Sequence, residues 1–514
     1  MTNLRSLAQA LRIPPYVYYV IIASFGGFIF GFDTGSIGSI TVMDQFIDVV
    51  GHLNSRIEGL LVSIILIPAA IVSSGAGSIA DRISRTYATA LGCVIYGAGS
   101  LIALTAGLGH SSSKAALAQV FMGRVISGAG EGVFLSAVSV YGIEVAPARL
   151  RGRIGSILQV QITLGIMLGY FTCFGSSSIA GSLAWRTPWV LQTVVCFALA
   201  AALPFVPHSP RWLVHEKRFT EARAALKRLG LDETEVPFHE PEEENAVEED
   251  ANASKGPRKS LERMKASFAS DVRGRMLLAL FMSGVQQLSG IDGVLFYAPT
   301  LFRQAGLSSK SATFLASGIT GVVNFVFTVI GQFVISDKWG RRPALIFGGM
   351  VMATAMTVMG ALYSQPNLSA AGKWAAIALI YVYFIAFILT WAILIRVWVS
   401  ESQPVKTRAS VSSLALTTNW ICNFVITFST PIFLNASPSG PYWMWAGWIW
   451  VAVAIFALWL PETRGRSIDG EGQELGLENK LDWVKAQYQT LSKRKTSMTM
   501  IEMEGGRVKE TKKA

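Results

Sequence analysis

The segment Asp81-Arg82-Ile83-Ser84-Arg85 recurs in the second half of the chain as Asp337-Lys338-Trp339-Gly340-Arg341-Arg342. Two further clusters recur in the same order: Glu144-Val145-Ala146-Pro147 as Glu401-Ser402-Gln403-Pro404, and Pro207-His208-Ser209-Pro210-Arg211 as Pro461-Glu462-Thr463-Arg464. The offsets are 256, 257 and 254 residues in a chain of 514 residues. This regularity indicates an internal duplication. Because long apolar stretches separate the clusters, the duplicated unit crosses a membrane.

The composition is that of a membrane protein. Hydrophobic residues make up 51% of the chain and charged residues only 15%, whereas a soluble chain carries about a quarter charged residues. Since roughly 20 apolar residues cross a bilayer as a helix, we predict an all-α membrane protein with twelve transmembrane helices in two pseudo-symmetric six-helix bundles. The predicted helices lie at 17–39, 58–80, 88–108, 114–140, 153–176, 187–205, 274–298, 312–336, 343–363, 374–399, 408–432 and 440–460.

Four regions follow from these helices: an N-terminal bundle (1–205), a central loop (206–273), a C-terminal bundle (274–460) and a tail (461–514). At the start of the central loop, residues 211–230 have the pattern of an amphipathic helix at the membrane surface. The acidic run and the basic stretch that follow are typical of a solvated linker, with a regulatory docking site as the alternative.

The basic residues predict the orientation. With a cytoplasmic N-terminus, 36 of the 44 Lys and Arg lie on the cytoplasmic side, as the positive-inside rule requires. The net charge of +11 therefore does not indicate a nucleic-acid partner. We expect a multi-pass protein of the plasma membrane with both termini in the cytoplasm. The other basic residues are six in the outer loops and two inside helices: Arg56, Lys114, Arg186, Arg303, Lys310 and Lys373, with Arg124 and Arg396.

No pattern typical of an enzyme is found. The four cysteines each fall within a predicted helix, and the five histidines are scattered over the loops, so neither makes a metal-binding spacing. The chain has no nucleophile motif and no glycine-rich phosphate loop. We therefore expect no enzymatic activity and no cofactor or metal, and any driving force must come from a gradient.

Almost the whole membrane portion resembles the sugar porters of the major facilitator superfamily, in a style similar to fungal members. The matching segments are 31–35, 77–85, 123–124, 151–152 with Gln159, 207–213, 286–290, 337–342, 419–420 with Asn423, and 461–465. The resemblance implies secondary active transport: proton-coupled import of a monosaccharide by alternating access. Its partners would be the sugar, protons and the lipid bilayer, and the functional unit would be a monomer.

The resemblance also implies a proton-coupling pair. Asp33 lies in the glycine-rich first helix and Arg124 lies early in the fourth. An ionisable group inside a membrane is costly, so it usually faces a cavity and a partner. The family pattern has Asp33 facing Arg124 and taking up a proton, and the alternative is a static ion pair. Glu131, two turns after Arg124, is an acid where the family is usually neutral, and we place it in the same group.

The repeated charged clusters predict two salt-bridge networks on the cytoplasmic side, which in the family keep that side closed in the outward-facing state. The alternative is that these charges only satisfy the positive-inside rule. The chain has Ala80 and Ser84 where the family favours Gly, and His208 where it has Glu, a change that removes an acidic partner. The predicted network residues are Asp81, Arg82, Arg85, Glu144 and Arg151 in the first half, and Asp337, Arg341, Arg342, Glu401 and Arg408 in the second.

A sugar site needs amides, which both donate and accept hydrogen bonds, and aromatic faces for stacking. The resemblance carries the amide role onto residues of helices five, seven, eight and eleven. The alternative for any one of them is a hydrogen bond between helices. The predicted substrate residues are Gln159, Gln286, Gln287, Asn324 and Asn419, with Phe28, Phe296, Tyr297 and Trp420 as aromatic candidates.

Two departures from the family pattern affect the same site. Asp292 replaces an Asn, and the tenth helix reads Trp391-Ala392-Ile393-Leu394-Ile395-Arg396 without the usual Gly-Pro, with Arg396 at the position of the stacking Trp. A helix without Gly-Pro is expected to be straighter. Arg396 then forms a buried pair with Asp292, receives a substrate carboxylate, or extends to the cytoplasmic surface.

Three rival functions remain open from the sequence. The nearest is a porter for an acidic sugar, such as a uronate like galacturonate, or for a quinate-like acid. The second is a non-transporting nutrient sensor of the same fold, for which the roughly 50 residues after the last helix are a short tail. The third is a proton-driven drug exporter, and the set of amides argues against it.

Overall fold

In a computed structural model, residues 14–109, 112–147, 150, 154–232, 268, 270–307, 309–332, 340–365, 368–403 and 405–462 are described. Every regular element among them is helical. The six spanning helices of the first half are α1 (Pro15–Ala23 and Phe25–Thr41), α2 (Ser55–Ser63 and Leu66–Ile83), α3 (Arg85–Leu104), α4 (Ser113–Val145), α5 (Ile157–Ser176) and α6 (Leu183–Ala202).

The second half repeats this arrangement. Its helices are α7 (Ser270–Leu288, Ile291–Phe296 and Ala298–Gln304), α8 (Lys310–Ile330), α9 (Arg341–Tyr363), α10 (Ala370–Ala386 and Ala392–Glu401), α11 (Val405–Ala436) and α12 (Gly440–Trp459). Packing follows the duplication as well. In the first half α1 packs on α5 and α3 on α6, and in the second half α7 packs on α11 and α9 on α12. The structure therefore has the predicted two six-helix bundles.

The seventh span differs from the prediction of a continuous helix at 274–298. Among the described residues, eleven helices are long and apolar enough to cross a membrane, and α7 is not one of them. It breaks at Gly290, which has φ of +91° and where a Cβ would collide with the Trp445 ring. Only glycine adopts this conformation readily. Together with a second interruption at Tyr297, this break divides the span into three helices and places Asp292 at the start of the second.

The two halves meet along α1–α7, α2–α11 and α5–α8. These contacts are closest near one end of the bundle. A Cβ on Gly38 of α1 would collide with the carbonyl oxygen of Phe296, and a Cβ on Gly59 of α2 with that of Phe428. Because neighbouring helices run in opposite directions, the end of α1 and the start of α2 lie on the same side. We call this side the closed end.

The halves separate toward the opposite side, the open end. In the last turns of α2, a Cβ on Gly75 or Gly77 would meet no atom within 4 Å, and Ile71 is exposed. The second part of α10, Ala392–Glu401, packs chiefly on α7, α9 and α11 of its own half. The molecule is therefore tightly joined at one end and parted at the other.

The predicted amphipathic helix at 211–230 is two helices. Pro210–His215 packs on α4, and Phe219–Leu229 packs on the start of α1. Lys217, with φ of +59°, separates them. The predicted apolar positions Leu213, Ala222, Leu226 and Leu229 are buried. The apolar face of this segment thus lies against the protein. The acidic run and the basic stretch of the central loop and the tail beyond Glu462 lie outside the described residues.

Candidate functional site

The first polar cluster of the membrane interior joins α1, α4 and α6. Arg124 donates from Nη1 to both carboxylate oxygens of Asp33, at 3.0 and 3.1 Å, and from Nη2 to the Val62 carbonyl oxygen at 2.8 Å. Both side chains of this ion pair are buried, at 3% and 5% exposure. The structure therefore brings together the two residues predicted to face each other.

Two members of this cluster were missed by the sequence analysis. Gln192 of α6 donates from Nε2 to Asp33 Oδ1 at 3.3 Å and to the Tyr96 hydroxyl of α3 at 3.2 Å. A Gln in the middle of a membrane helix requires a hydrogen-bonding partner. This requirement could have identified Gln192 from the sequence. Asp33 Oδ1 thus accepts hydrogen bonds from both Gln192 and Arg124 Nη1.

Glu131 lies in the same cluster but is not paired. Its side chain is 1% exposed, its Oε1 accepts no hydrogen bond, and its charge acts on Asp33 and Arg124 through space. The described cluster thus contains two carboxyl groups and one guanidinium. With Asp33 already neutralised by Arg124, an ionised Glu131 would be a buried charge without a partner, which is strongly unfavourable.

The second cluster is made of amides from α7 and α11. Gln286 donates to the Trp391 carbonyl oxygen at 2.9 Å, and Asn419 donates to Gln286 Oε1 at 3.2 Å. Gln287 donates to Asn419 Oδ1 at 3.1 Å. The Oε1 atom of Gln287 is buried without a partner. Three predicted substrate residues therefore form one network that retains an unused acceptor.

The other predicted substrate residues are more dispersed. Asn324 of α8 is buried at 5%. The ring of Trp420 packs edge-on against Phe30 of the other half, with centroids 6.0 Å apart, and its Nε1 has no partner. Phe28 packs against the rings of Phe25 and Phe32 of its own helix. Of these residues, Trp420 makes a ring contact between the halves.

Two aromatic candidates belong to the closed end. Phe296 and Tyr297 are 2% and 1% exposed and pack with Ile37 and Ile40 of α1. The Tyr297 hydroxyl donates to the Thr427 carbonyl oxygen at 3.1 Å. A stacking role for these two rings remains a prediction.

Arg396 bridges the two halves near the open end. Its Nη1 donates to Gln159 Oε1 of α5 at 3.1 Å, and the side chain is exposed. Asp292 is half-buried, and its charge acts on Arg396, yet no ion pair within 4.0 Å joins them among the described residues. The expected buried Asp292–Arg396 pair is therefore not formed in this conformation, and Gln159 takes its place.

Helix α10 is not the regular helix expected from its lack of Gly-Pro. Residues Phe387–Trp391 form a π-helical turn between its two α-helical parts. Such turns interrupt the i→i−4 hydrogen bonds and are frequent at functional sites. The turn ends at Trp391, whose carbonyl oxygen accepts the hydrogen bond from Gln286. An interruption of α10 is thus present at the amide cluster, by means other than proline.

At the open end, the first-half network forms in part. Arg85 contacts Glu144 through Nε at 3.0 Å and Asp81 through Nη2 at 2.8 Å. Arg82 is exposed and forms no ion pair with a described residue. Arg151 lies outside the described residues.

In the described part of the second-half cluster, a residue outside the predicted set contacts Arg341 and Arg342. Glu462 accepts the backbone N–H of Arg341 at 2.9 Å through Oε1 and that of Arg342 at 3.1 Å through Oε2. It therefore caps the first turn of α9. Asp337 is outside the described residues, and so are the side chains of Glu401 and Arg408.

Comparisons with known proteins agree with this architecture. A family model described as "Sugar (and other) transporter" matches residues 19–473. The low-affinity glucose transporter HXT1 of Saccharomyces cerevisiae is 32% identical over 499 residues, which cover 92% of this chain and 84% of the yeast protein. The high-affinity hexose transporter HXT6 of the same yeast is 30% identical over 508 residues, or 94% and 85% of the two chains.

Solved structures include a similar chain. The partially occluded, inward-open conformation of the xylose transporter XylE from E. coli has a TM-score of 0.71 and 25% sequence identity. The match covers 88% of this chain and 99% of the bacterial chain.

Proposed function

Because the chain belongs to the sugar transporter family of the major facilitator superfamily, we propose that it imports a monosaccharide by alternating access, coupled to protons. The observation that carries the sugar site is the amide network of Gln286, Gln287 and Asn419. It lies on the broken helix α7 and on α11, and Gln287 Oε1 remains without a donor. A buried acceptor without a partner is costly, and a sugar hydroxyl is a suitable donor.

Proton coupling rests on the first cluster. In this conformation Asp33 is held by Arg124 and Gln192. Glu131 is the carboxyl group of the cluster that has no ion-pair partner among the described residues. A proton bound to one of the two carboxyl groups keeps the cluster neutral. Movement of α1 relative to α4 would alter the Asp33–Arg124 contact and so the site that the proton prefers. The transported proton is therefore shared between Asp33 and Glu131.

On the orientation predicted from the basic residues, we assign the open end to the cytoplasmic side of the membrane. The first-half ion pairs and the cap of α9 lie at that end, together with the described basic residues Arg82, Arg85, Arg341 and Arg342, in accord with the positive-inside rule. The conformation is then inward-facing: the outer side is sealed by α1–α7 and α2–α11, and the cytoplasmic side is parted. The protein would lie in the plasma membrane with both termini in the cytoplasm and function as a monomer.

The test is uptake of labelled sugars by cells that lack their own porters. Asp33→Asn should abolish accumulation against a gradient while exchange of sugar across the membrane partly survives. Asp48→Asn, at an exposed acid of the short helix Asp44–Val50 between α1 and α2, is the matched control and should behave as the unmodified protein. Accumulation by the Asp33→Asn variant, together with wild-type uptake that a protonophore does not reduce, would exclude Asp33 as the coupling acid.

A further inference from the structure

We propose that the transported monosaccharide carries a carboxylate, as a hexuronate does, and that Arg396 binds this group. The proposal rests on the proposed function, since it places the substrate between the same two halves. It names the chemical class of that substrate.

Arg396 has unused binding capacity. Its guanidinium offers five N–H donors, and among the described residues only Nη1 is engaged, by Gln159 Oε1. The side chain is exposed and lies within α10, five residues before the helix ends at Glu401. A positive charge within a membrane helix is costly unless water or a negative group is present. The side chain therefore reaches into the gap between the halves.

Gln159 Oε1, which accepts the hydrogen bond from Arg396, is a weak acceptor. An amide oxygen is neutral, whereas a carboxylate forms charge-assisted hydrogen bonds that are shorter and about twice as strong, and the planar guanidinium binds it through two N–H groups. A substrate carboxylate would thus displace Gln159 favourably. A neutral sugar hydroxyl is no better an acceptor than the amide it would replace. The exchange favours an acid over a neutral sugar.

Asp292 is not a direct binding partner of Arg396. Its carboxylate makes no ion pair with Arg396 within 4.0 Å among the described residues and is half-buried. Three other groups face this carboxylate or its charge: Arg396 of α10, Tyr170 of α5 and Tyr383 of α10. Both tyrosine hydroxyls donate to backbone carbonyl oxygens, those of Leu295 and Ser289. Among the described residues, Arg396 is thus the cation whose charge acts on this carboxylate.

Gln159 and Arg396 come from opposite halves, on α5 and α10. A carboxylate held by Arg396, with sugar hydroxyls reaching Gln159 and the amide network, would contact both bundles at once. Substrate binding would then draw the parted ends together. The charge of Arg396 would select an acid, and Gln159 together with the amide network would position its sugar ring.

The experiment measures binding and uptake by the full chain in proteoliposomes. Galacturonate, its uncharged methyl ester and glucose compete for uptake of labelled substrate. We expect galacturonate to compete at least tenfold more strongly than its ester, which has the same ring and nearly the same size. Equal competition by the acid and the ester would overturn the proposal.

The variant Arg396→Lys keeps the charge and removes the bidentate contact. It should weaken galacturonate binding about tenfold or more with little effect on glucose, and Arg396→Trp should shift the preference to neutral sugars. Arg56→Lys, at an exposed arginine of the closed end, is the matched control. An equal loss for acid and neutral sugar in Arg396→Lys would also overturn the proposal.

Failure here is distinguishable from failure of the proposed function. Wild-type protein that transports glucose and ignores galacturonate between pH 5 and pH 7 refutes the carboxylate contact and leaves sugar transport intact. Wild-type protein that transports no member of a panel of neutral sugars and uronates refutes both.

Discussion

The first buried cluster is governed by a simple charge balance. Arg124 is paired with Asp33, while Glu131 is 1% exposed and has no hydrogen bond at Oε1. Each carboxyl group can serve as the counter-charge of the same guanidinium when the other carries a proton. Either acid can therefore neutralise the charge of Arg124, although of the two only Asp33 is held by Gln192.

This balance predicts a strongly non-additive pair of substitutions. Asp33→Asn should fold because Glu131 can ionise and neutralise Arg124, and Glu131→Gln should fold because Asp33 already does so. The double variant leaves Arg124 as a buried charge without an acid, which costs about 3–5 kcal/mol. Thermal unfolding in detergent should therefore show a loss in the double variant well beyond the sum of the single losses. Additive losses would show that Glu131 does not sense Arg124.

The free N–H groups at the N-termini of α3 and α9 are capped in two different ways. In the second half, Glu462 caps the free N–H groups of α9. At the corresponding position of the first half, His208 Nδ1 bonds the hydroxyls of Thr86 and Ser84 at 2.7 and 3.0 Å, and Ser84 Oγ accepts from the Tyr87 N–H at 3.4 Å. Ser84 does so at φ of +84°, a strained conformation for a residue other than glycine. The two departures from the family pattern at Ser84 and His208 therefore belong together.

The pH dependence of stability should reveal the histidine. Burial, with the charge of Arg218 as a smaller contribution, lowers the pKa of His208 below its ordinary value of 6.5. The unfolded chain then binds the proton more readily. The contribution of His208 to stability is complete above about pH 6.5 and is lost as the pH falls below that value. The stability difference between wild type and His208→Gln should be larger at pH 7 than at pH 5.

Thermal unfolding at the two pH values measures this difference. His52→Gln, at an exposed histidine before α2, is the control and should show no change in it. A difference that is independent of pH would mean that His208 acts only through packing against Tyr87 and Trp212, whose rings lie 4.9 and 5.6 Å from it.

The proposed alternating access requires a rearrangement of the whole molecule that opens the closed end. That end is sealed by close approach of backbones rather than by ion pairs between the halves in the described residues, with Gly38 and Gly59 against the carbonyl oxygens of Phe296 and Phe428. Glycine contacts of this kind allow tight sealing without a polar desolvation cost on separation. A side chain at either position should hold the halves apart there.

Gly59→Leu should therefore bias the protein toward a state in which the closed end is open. Net uptake should fall at least tenfold while the protein still folds, because the wedge blocks only one of the two conformations. Spin labels on Lys114→Cys of α4 and Asn435→Cys of α11, both exposed at the closed end, should report a longer distance. Gly447→Leu is the control, because an added Cβ there meets no atom within 4 Å. An unchanged distance in Gly59→Leu with normal uptake would contradict a gate at this contact.

The orientation of the whole chain has its own test. Asn252-Ala253-Ser254 lies on the central loop and Asn435-Ala436-Ser437 at the closed end. Because glycan is added only on the luminal side, Asn252 should never be modified in a eukaryotic host. A glycan mapped to Asn252 by mass spectrometry would reverse the orientation.

Much of this architecture is accessible from the sequence because the bilayer imposes a strong pattern. Apolar length defines each crossing, and three repeated charged clusters reveal the duplication. The pairing of Asp33 with Arg124 is implied by the family resemblance, and it agrees with the need of buried ions for partners. Family membership, confirmed by the match over residues 19–473, depends on these same local motifs.

Tertiary structure alone decided the contacts that depend on the relative placement of helices. The break of α7 at Gly290, the π turn of α10, the role of Gln192 and the capping residue Glu462 all arise from neighbours distant in the chain. The partner of Arg396 was also decided there: the sequence left Asp292, a substrate carboxylate and the cytoplasmic surface open, and the structure brings Gln159 of α5 within hydrogen-bond distance. Local hydropathy specifies which segments enter the membrane, but a long side chain's partner depends on angles and gaps between helices that no single segment encodes.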